Sequence, residues 1–128
     1  MTPMPHQELT HEVIGGCFEV IGELGVGFLE SVYERALVIA LEARSLRPEQ
    51  QTPIDVCFRG FVVGQYFAGL IVESKVNVEP NTVKKLAPEH AAQTINYLKA
   101  TGMDVALLVN FADPKLGWRR YDRKKYIL

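Results

Sequence analysis

The chain has 128 residues, 48% of them hydrophobic and 23% charged, with a formal net charge of −1. That length is enough to bury one core, which sets the expectation of a single domain over residues 1–128, and the composition excludes a disordered or low-complexity chain. No apolar run approaches the ~20 residues that a bilayer span needs, and the opening Met-Thr-Pro-Met-Pro-His-Gln-Glu lacks the basic start and apolar core of a secretion signal. The two cysteines, Cys17 and Cys57, sit in apolar patterns without metal-type spacing, which reads as two reduced, buried thiols in a cytoplasmic protein that does not engage a membrane.

Helical periodicity comes first. Val13, Ile14, Cys17, Phe18, Val20, Ile21 and Leu24 recur at helical spacing from about Thr10 to Leu24, with Thr10 as the expected N-cap and Gly25-Val26-Gly27 as the stop. A second helix is expected from Leu29 to Ser45. Val32, Ala36, Leu37, Ile39, Ala40 and Leu41 form its buried side, and Glu30, Glu34 and Arg35 point the other way.

The period then changes to alternation. Ile54, Val56 and Phe58 form one face of a strand that ends at the Arg59-Gly60 turn. Phe61 to Val72 reads as one long strand, Ser74-Lys75 as a turn, and Val76 to Asn81 as a third strand. Leu70, Val72, Val76 and Val78 fall on one face of this last hairpin. Gly69, Glu73, Asn77, Glu79 and Asn81 fall on the other, because side chains alternate along a strand. Pro88 and Glu89 open a third helix reaching about Thr101, with Ala91, Ala92, Ile95 and Leu98 as its stripe and Gly102 as its stop. Val105-Ala-Leu-Leu-Val109 has the unbroken apolarity of a strand covered on both faces. A closing strand is expected near Trp118 to Tyr121 or Tyr126 to Leu128. The order is α-α-β-β-β-α-β-β. A helix crossing between the third and fourth strands makes them parallel in one mixed α/β sheet flanked by helices.

The polar face around Glu79 is the natural place for chemistry. Metal-dependent phosphodiester hydrolysis needs carboxylates gathered around Mg²⁺ or Mn²⁺ and a cation beside them. An Asp on one strand and Glu-x-Lys on its neighbour supply all three from one sheet face. Here that face offers Gly69, Glu79 and Asn81, and Pro80 interrupts the strand between the last two.

The pattern resembles the GxxExxY family, a branch of the PD-(D/E)-x-K nuclease superfamily, whose signature stands as Gly27-Phe-Leu-Glu30-Ser-Val-Tyr33. The flanking Leu-Gly-Val-Gly-Phe-Leu-Glu-Ser-Val-Tyr-Glu and Ala-Gln-Thr-Ile-Asn-Tyr-Leu-Lys stretches look like family sequence too. The likeness runs from the first helix to about Phe111. It implies a restriction-endonuclease-like core with an active-site Asp, then Glu-x-Lys, then Gln-x-x-x-Tyr on the following helix. Glu79, Gln93 and Tyr97 match. Gly69 stands where the Asp is expected and Asn81 where the Lys is expected.

The resemblance also implies that Glu30 reaches the site and, with Glu79, holds whatever Mg²⁺ or Mn²⁺ is bound, weakly if at all. Read without it, Glu30 is a first-turn acid favoured by the helix dipole and Tyr33 a core residue with a bonded hydroxyl. Gln93 and Tyr97 are then an ordinary i, i+4 pair. His90, one turn before Gln93, is a further candidate for the same cleft, and Lys84 or Lys85 for the missing positive charge.

Residues 115–128 hold six basic residues against Asp122, a charge of +5, while the rest of the chain carries −6. Arg119, Arg120, Arg123, Lys124 and Lys125, interleaved with Trp118, Tyr121 and Tyr126, can contact nucleic acid or simply form a solvated outer face. The expectation is a nuclease-fold protein with a degraded motif that binds nucleic acid, a protein partner or a second copy of itself. The alternative is a metal-dependent DNA or RNA nuclease with migrated catalytic residues.

Overall fold

The computed structural model describes residues 4–126. In chain order it has helices α1 (Gln7–Leu24) and α2 (Glu30–Ala43), then strands β1 (Pro48–Gln50), β2 (Pro53–Phe58), β3 (Phe61–Phe67), β4 (Leu70–Val72) and β5 (Val76–Asn81). Helix α3 (Pro88–Thr101), strands β6 (Val105–Asn110) and β7 (Gly117–Asp122) and a one-turn helix α4 (Arg123–Tyr126) follow. β7 takes the first of the two places expected for a closing strand. Residues 127–128, in the second, lie outside the described residues.

Five strands form one mixed sheet in the order β1-β4-β5-β6-β7, and β2 and β3 form a separate two-stranded arm. β5 and β6 run parallel and every other neighbouring pair is antiparallel. This is the geometry a helical crossover imposes. Alternation then sorts the sheet into two faces. Leu70, Val72, Val76, Val78, Val105, Leu107 and Val109 pack against α1 and α2. Ala106, Leu108 and Tyr121 turn to the other face, where Leu98 of α3 covers them. β6 is buried along its whole length because it has a helical layer on each side.

The α1–α2 pair is held by close approach and by its connecting turn. Gly16 leaves space for Leu41, whose Cδ2 would lie 2.9 Å from a β-carbon there. Gly25, at φ 71°, ends α1 by donating its N–H to Ile21. Tyr33 ties the turn down. Its hydroxyl donates to Gly25 O at 2.7 Å and accepts from the Phe28 N–H at 3.3 Å, and its ring stacks on Phe111 at 4.8 Å. The tyrosine of the Gly-x-x-Glu-x-x-Tyr signature therefore serves the core. Tyr33→Phe leaves two backbone groups of that turn unpaired, so we expect a loss of about 1–2 kcal/mol. It is read as a lowered urea midpoint at unchanged slope.

Several expectations change. α1 begins a turn before Thr10, which lies inside the helix and donates to Gln7 O. In α2, Val32 and Ile39 are exposed and Glu34 is buried. The expected long strand from Phe61 to Val72 is broken at Ala68-Gly69, and β1 pairs with β4 beside the break. Across the break the Ala68 N–H bonds Thr52 O and the Gln51 N–H bonds Gly69 O, so one long ribbon bends into a sheet part and an arm. Ala92 of α3 is exposed, whereas Thr94 and Tyr97 are buried. Cys17 is buried, with its thiol pushed up to about 12 by desolvation, but Cys57 lies exposed on the arm. No helix among the described residues is long and apolar enough to cross a membrane.

Candidate functional site

The register places Leu70 opposite Val78 and Val72 opposite Val76. Gly69 is thereby brought across from Glu79, and its N–H points to Glu79 Oε1 at 3.5 Å. Asn77 lies two residues back on the same face and donates to the same oxygen at 3.1 Å. Asn81 turns its amide onto the Glu79 backbone carbonyl at 3.4 Å and leaves the carboxyl alone.

Glu79 is surrounded from three other elements. Glu30 and Glu34 approach from α2, Tyr66 from β3 and Tyr97 from α3. Burial pushes the Glu79 carboxyl up to about 7. The two hydrogen bonds oppose this, and the charges of Glu30 and Glu34 add to it. Burial also raises Glu30 and Glu34, Glu30 further through the charge of Glu34. Both tyrosine hydroxyls are raised, first by burial and then by Glu79. The carboxyls of the site thus hold protons more tightly than free carboxyls do.

Glu34 is the member that sequence reasoning missed. Both of its carboxyl oxygens accept from Gln51 Nε2, at 3.2 and 3.1 Å. Gln51 sits at the bend where the ribbon leaves the sheet, with φ 51°. Tertiary contacts with Gln51 and the neighbouring Gln50 hold Glu34 inward. The family-like stretch around the signature ends on this residue, and that was the one signal in the sequence.

A cleft of about 760 Å³ opens over Glu79, between α3 and the arm. Glu30, Asn81, His90 and Gln93 line it, as do Asp55 and Tyr66 from the arm and Lys99 from α3. Glu30, Glu79, Gln93 and Asn81 are therefore brought together. Tyr97 is not on the surface of this cleft. It is fully buried, edge-on to Tyr66 at 5.7 Å, and its hydroxyl donates to the Met103 sulfur at 3.7 Å. His90 accepts the Ala87 N–H on Nδ1 at 2.8 Å and so caps α3. Lys84 and Lys85 are exposed and outside the cleft, where the one lysine is Lys99.

Two polar atoms at this site find no hydrogen-bond partner among the described residues, the Tyr66 hydroxyl and Asn77 Oδ1. The five tail cations do not share one face. Arg120 turns toward α1, bonding Asp122, Thr10 and Pro5 O, while Arg119, Lys124 and Lys125 are exposed. None of them lines the cleft.

The residues do not fit a divalent ion as they stand. Among the described residues no group of three or more His, Cys, Asp or Glu side chains is placed to hold a metal. Glu79 is half-buried on β5 with its carboxyl pushed up to about 7 by desolvation, and both hydrogen bonds to its side chain fall on one oxygen. A second carboxylate has no room at position 69. A β-carbon there would stand 2.8 Å from Pro80 Cδ, 2.9 Å from Val78 O and 3.3 Å from Glu34 Oε1.

Comparison with known proteins bears on this geometry. The family model described as the PD-(D/E)XK nuclease superfamily matches residues 7–121. The crystal structure of SSO0001 superposes with a TM-score of 0.54 at 16% identity, covering 91% of this chain and 58% of that one. The chain thus spans less than two thirds of that protein, and the likeness is one of fold. No curated protein matches the chain.

Proposed function

The chain belongs to the PD-(D/E)XK nuclease superfamily, and from that premise we propose that it is a pseudo-nuclease of the GxxExxY branch, a binding protein that does not hydrolyse phosphodiesters. One observation carries this reading. Gly69 sits so tightly against Pro80 and the Val78 carbonyl that no side chain fits where the family pattern implies an aspartate. Gly69 and Pro80 pack as one unit, which supports a site that does without the carboxylate.

Glu30, Asp55 and Glu79 line the cleft against a single lysine, Lys99, which is a poor field for phosphate. In this reading nucleic acid is met on the basic edge formed by Arg119, Lys124 and Lys125. Arg120, already engaged by Asp122, takes no part. Charge-neutralising substitution of those three exposed residues is expected to weaken binding of labelled single-stranded DNA or RNA. The slope of log K against log salt should fall by about 2–3. Unchanged binding would move the nucleic-acid contact away from this edge, and no binding by the wild-type chain would move the partner to the protein class.

The rival reading, hydrolysis by migrated residues, has one point in its favour. Glu34 brings a carboxylate to 3.3 Å from the place a β-carbon at 69 would occupy. The deciding assay offers single- and double-stranded DNA and RNA with Mg²⁺ or Mn²⁺, and Glu79→Ala as control. No metal-dependent cleavage is expected. Turnover that the control lacks overturns the proposal.

A further inference from the structure

The floor of the cleft is short of hydrogen-bond donors. Both bonds to the Glu79 carboxyl fall on Oε1, and Oε2 receives none among the described residues. Asn77 is 0% exposed and turns its amide toward the same carboxyl, yet its Oδ1 finds no partner. The Tyr66 hydroxyl, on the arm side of the cleft, is likewise buried without a partner. It lies close enough to Glu79 for that charge to raise it. Buried polar atoms left unpaired are costly, and folded proteins hold few of them. Three acceptors without donors around one carboxyl point to a donor from outside the chain.

We propose that the cleft binds a small organic cation, whose guanidinium head group donates to Glu79 and Tyr66 and whose alkyl stem lies along the arm. The sign of the charge follows from the lining, where Glu30, Asp55 and Glu79 face the single cation Lys99. The kind of cation follows from the acceptors. A divalent ion needs several hard oxygens gathered on it, and no group of three or more acids, histidines or cysteines among the described residues is placed to do this. A guanidinium offers five N–H donors in a fixed fork, enough for a carboxylate oxygen and two neutral oxygens together. Val56 and Phe67 of the arm supply an apolar wall for the stem, and the volume of about 760 Å³ suits a small molecule.

A cation seated on Glu79 favours the ionised carboxylate, so it competes with the proton that this carboxyl holds up to about 7. The other groups that face it are Glu30 and Glu34 from α2, Asp55 and Tyr66 from the arm, and His90, Tyr97 and Lys99 from α3. Binding therefore strengthens as pH rises through 7. The proposal does not rest on the loss of hydrolysis, since the acceptors are the same whether or not the chain cleaves phosphodiesters, and the cleavage assay and the test below fail independently.

The test is an amide NMR titration of the full chain with butylguanidinium up to about 20 mM at pH 8, because a ligand this small binds in the millimolar range. Shifts are expected on β5, α3 and the arm. Butylurea, the neutral compound of the same shape, should bind at least tenfold more weakly. Glu79→Gln should weaken butylguanidinium about tenfold and abolish the rise in affinity between pH 6 and 8. Tyr66→Phe should weaken it severalfold while the melting temperature stays level or rises, because the hydroxyl it removes has no partner within the chain. Glu42→Gln, at an exposed acid of α2 outside the cleft, should leave binding unchanged. A blocked arginine tripeptide distinguishes the two sources of this head group. Tighter binding than butylguanidinium assigns the cleft to an arginine side chain, weaker binding to a free compound, and both sustain the proposal. No shift at the highest concentration overturns it. So does equal binding of butylurea, or binding that survives both Glu79→Gln and Tyr66→Phe.

Discussion

Glu79→Gln is expected to stabilise the protein at pH 8 and to flatten the pH dependence of its stability. The Glu79 carboxyl titrates near 7 in the folded chain against 4.5 for its ordinary value. The folded state therefore holds this proton more tightly than the unfolded state does. The resulting stability is fully present below 4.5, declines between 4.5 and 7, and is gone above that range. Its size is about 3 kcal/mol, because each tenfold gain in proton affinity on folding is worth about 1.4 kcal/mol. Glutamine stays neutral throughout and keeps an oxygen for the Asn77 amide and the Gly69 N–H. At pH 8 the variant should melt on the order of 10 °C above the wild type, and at pH 5 the two should nearly coincide. Glu30 and Glu34 are raised too, so the wild-type decline is steeper than Glu79 alone produces and some decline persists in the variant. Thermal melts of both proteins from pH 4.5 to 8.5 decide the matter. Parallel curves would mean that Glu79 is solvated and charged in the folded protein, and a protonated site could not then be maintained.

What was legible in the sequence, and what was not, divides along the range of the interaction. The alternation of Leu70, Val72, Val76 and Val78 was enough to put Gly69 on the same sheet face as Glu79, because a strand slipped by one residue exposes its whole apolar face. The unbroken run at Val105–Val109 and the helix before it fixed β6 as a buried parallel neighbour of β5. Both inferences use local period and chain connectivity. Glu34 escaped because helical spacing puts it beside Glu30 and Arg35, on a face that looks solvent-directed. Its inward position is supported by Gln51, seventeen residues on in the bend between β1 and β2. The arm escaped for the opposite reason. Phe58, Phe61 and Val63 have strand-like character, and alternation predicts a buried face, but apolar pattern does not say whether the cover comes from the same chain. Tyr33 illustrates a third case. Residue-type reasoning made it a core residue with a bonded hydroxyl, and the structure shows it buried with that hydroxyl bonded to the α1–α2 turn.

Restoring the expected aspartate should harm the protein without reviving it. Gly69 is not required by backbone conformation, since its φ lies outside the left-handed region, so the demand for glycine is one of space. Two of the three atoms that crowd an added β-carbon cannot swing away. Pro80 Cδ belongs to a rigid ring, and Val78 O is backbone within a central sheet strand. Gly69→Ala should therefore already cost about 1–3 kcal/mol by overpacking. Gly69→Asp should cost more, because it adds a carboxylate beside Glu34 and Glu79, two acids whose carboxyls burial already raises. Adding Pro80→Ala relieves one of the two rigid contacts and should recover part of the loss, which separates the steric cost from the electrostatic one by a double-mutant cycle. Gly69→Asp combined with Asn81→Lys, which rebuilds the full motif, should remain without metal-dependent cleavage unless Pro80 is changed as well. If Gly69→Asp melts like the wild type, position 69 has room after all. If the rebuilt double variant then cleaves DNA in Mn²⁺, the lost activity was only two side chains deep, and the packing of Gly69 on Pro80 was a consequence of disuse with no part in maintaining it.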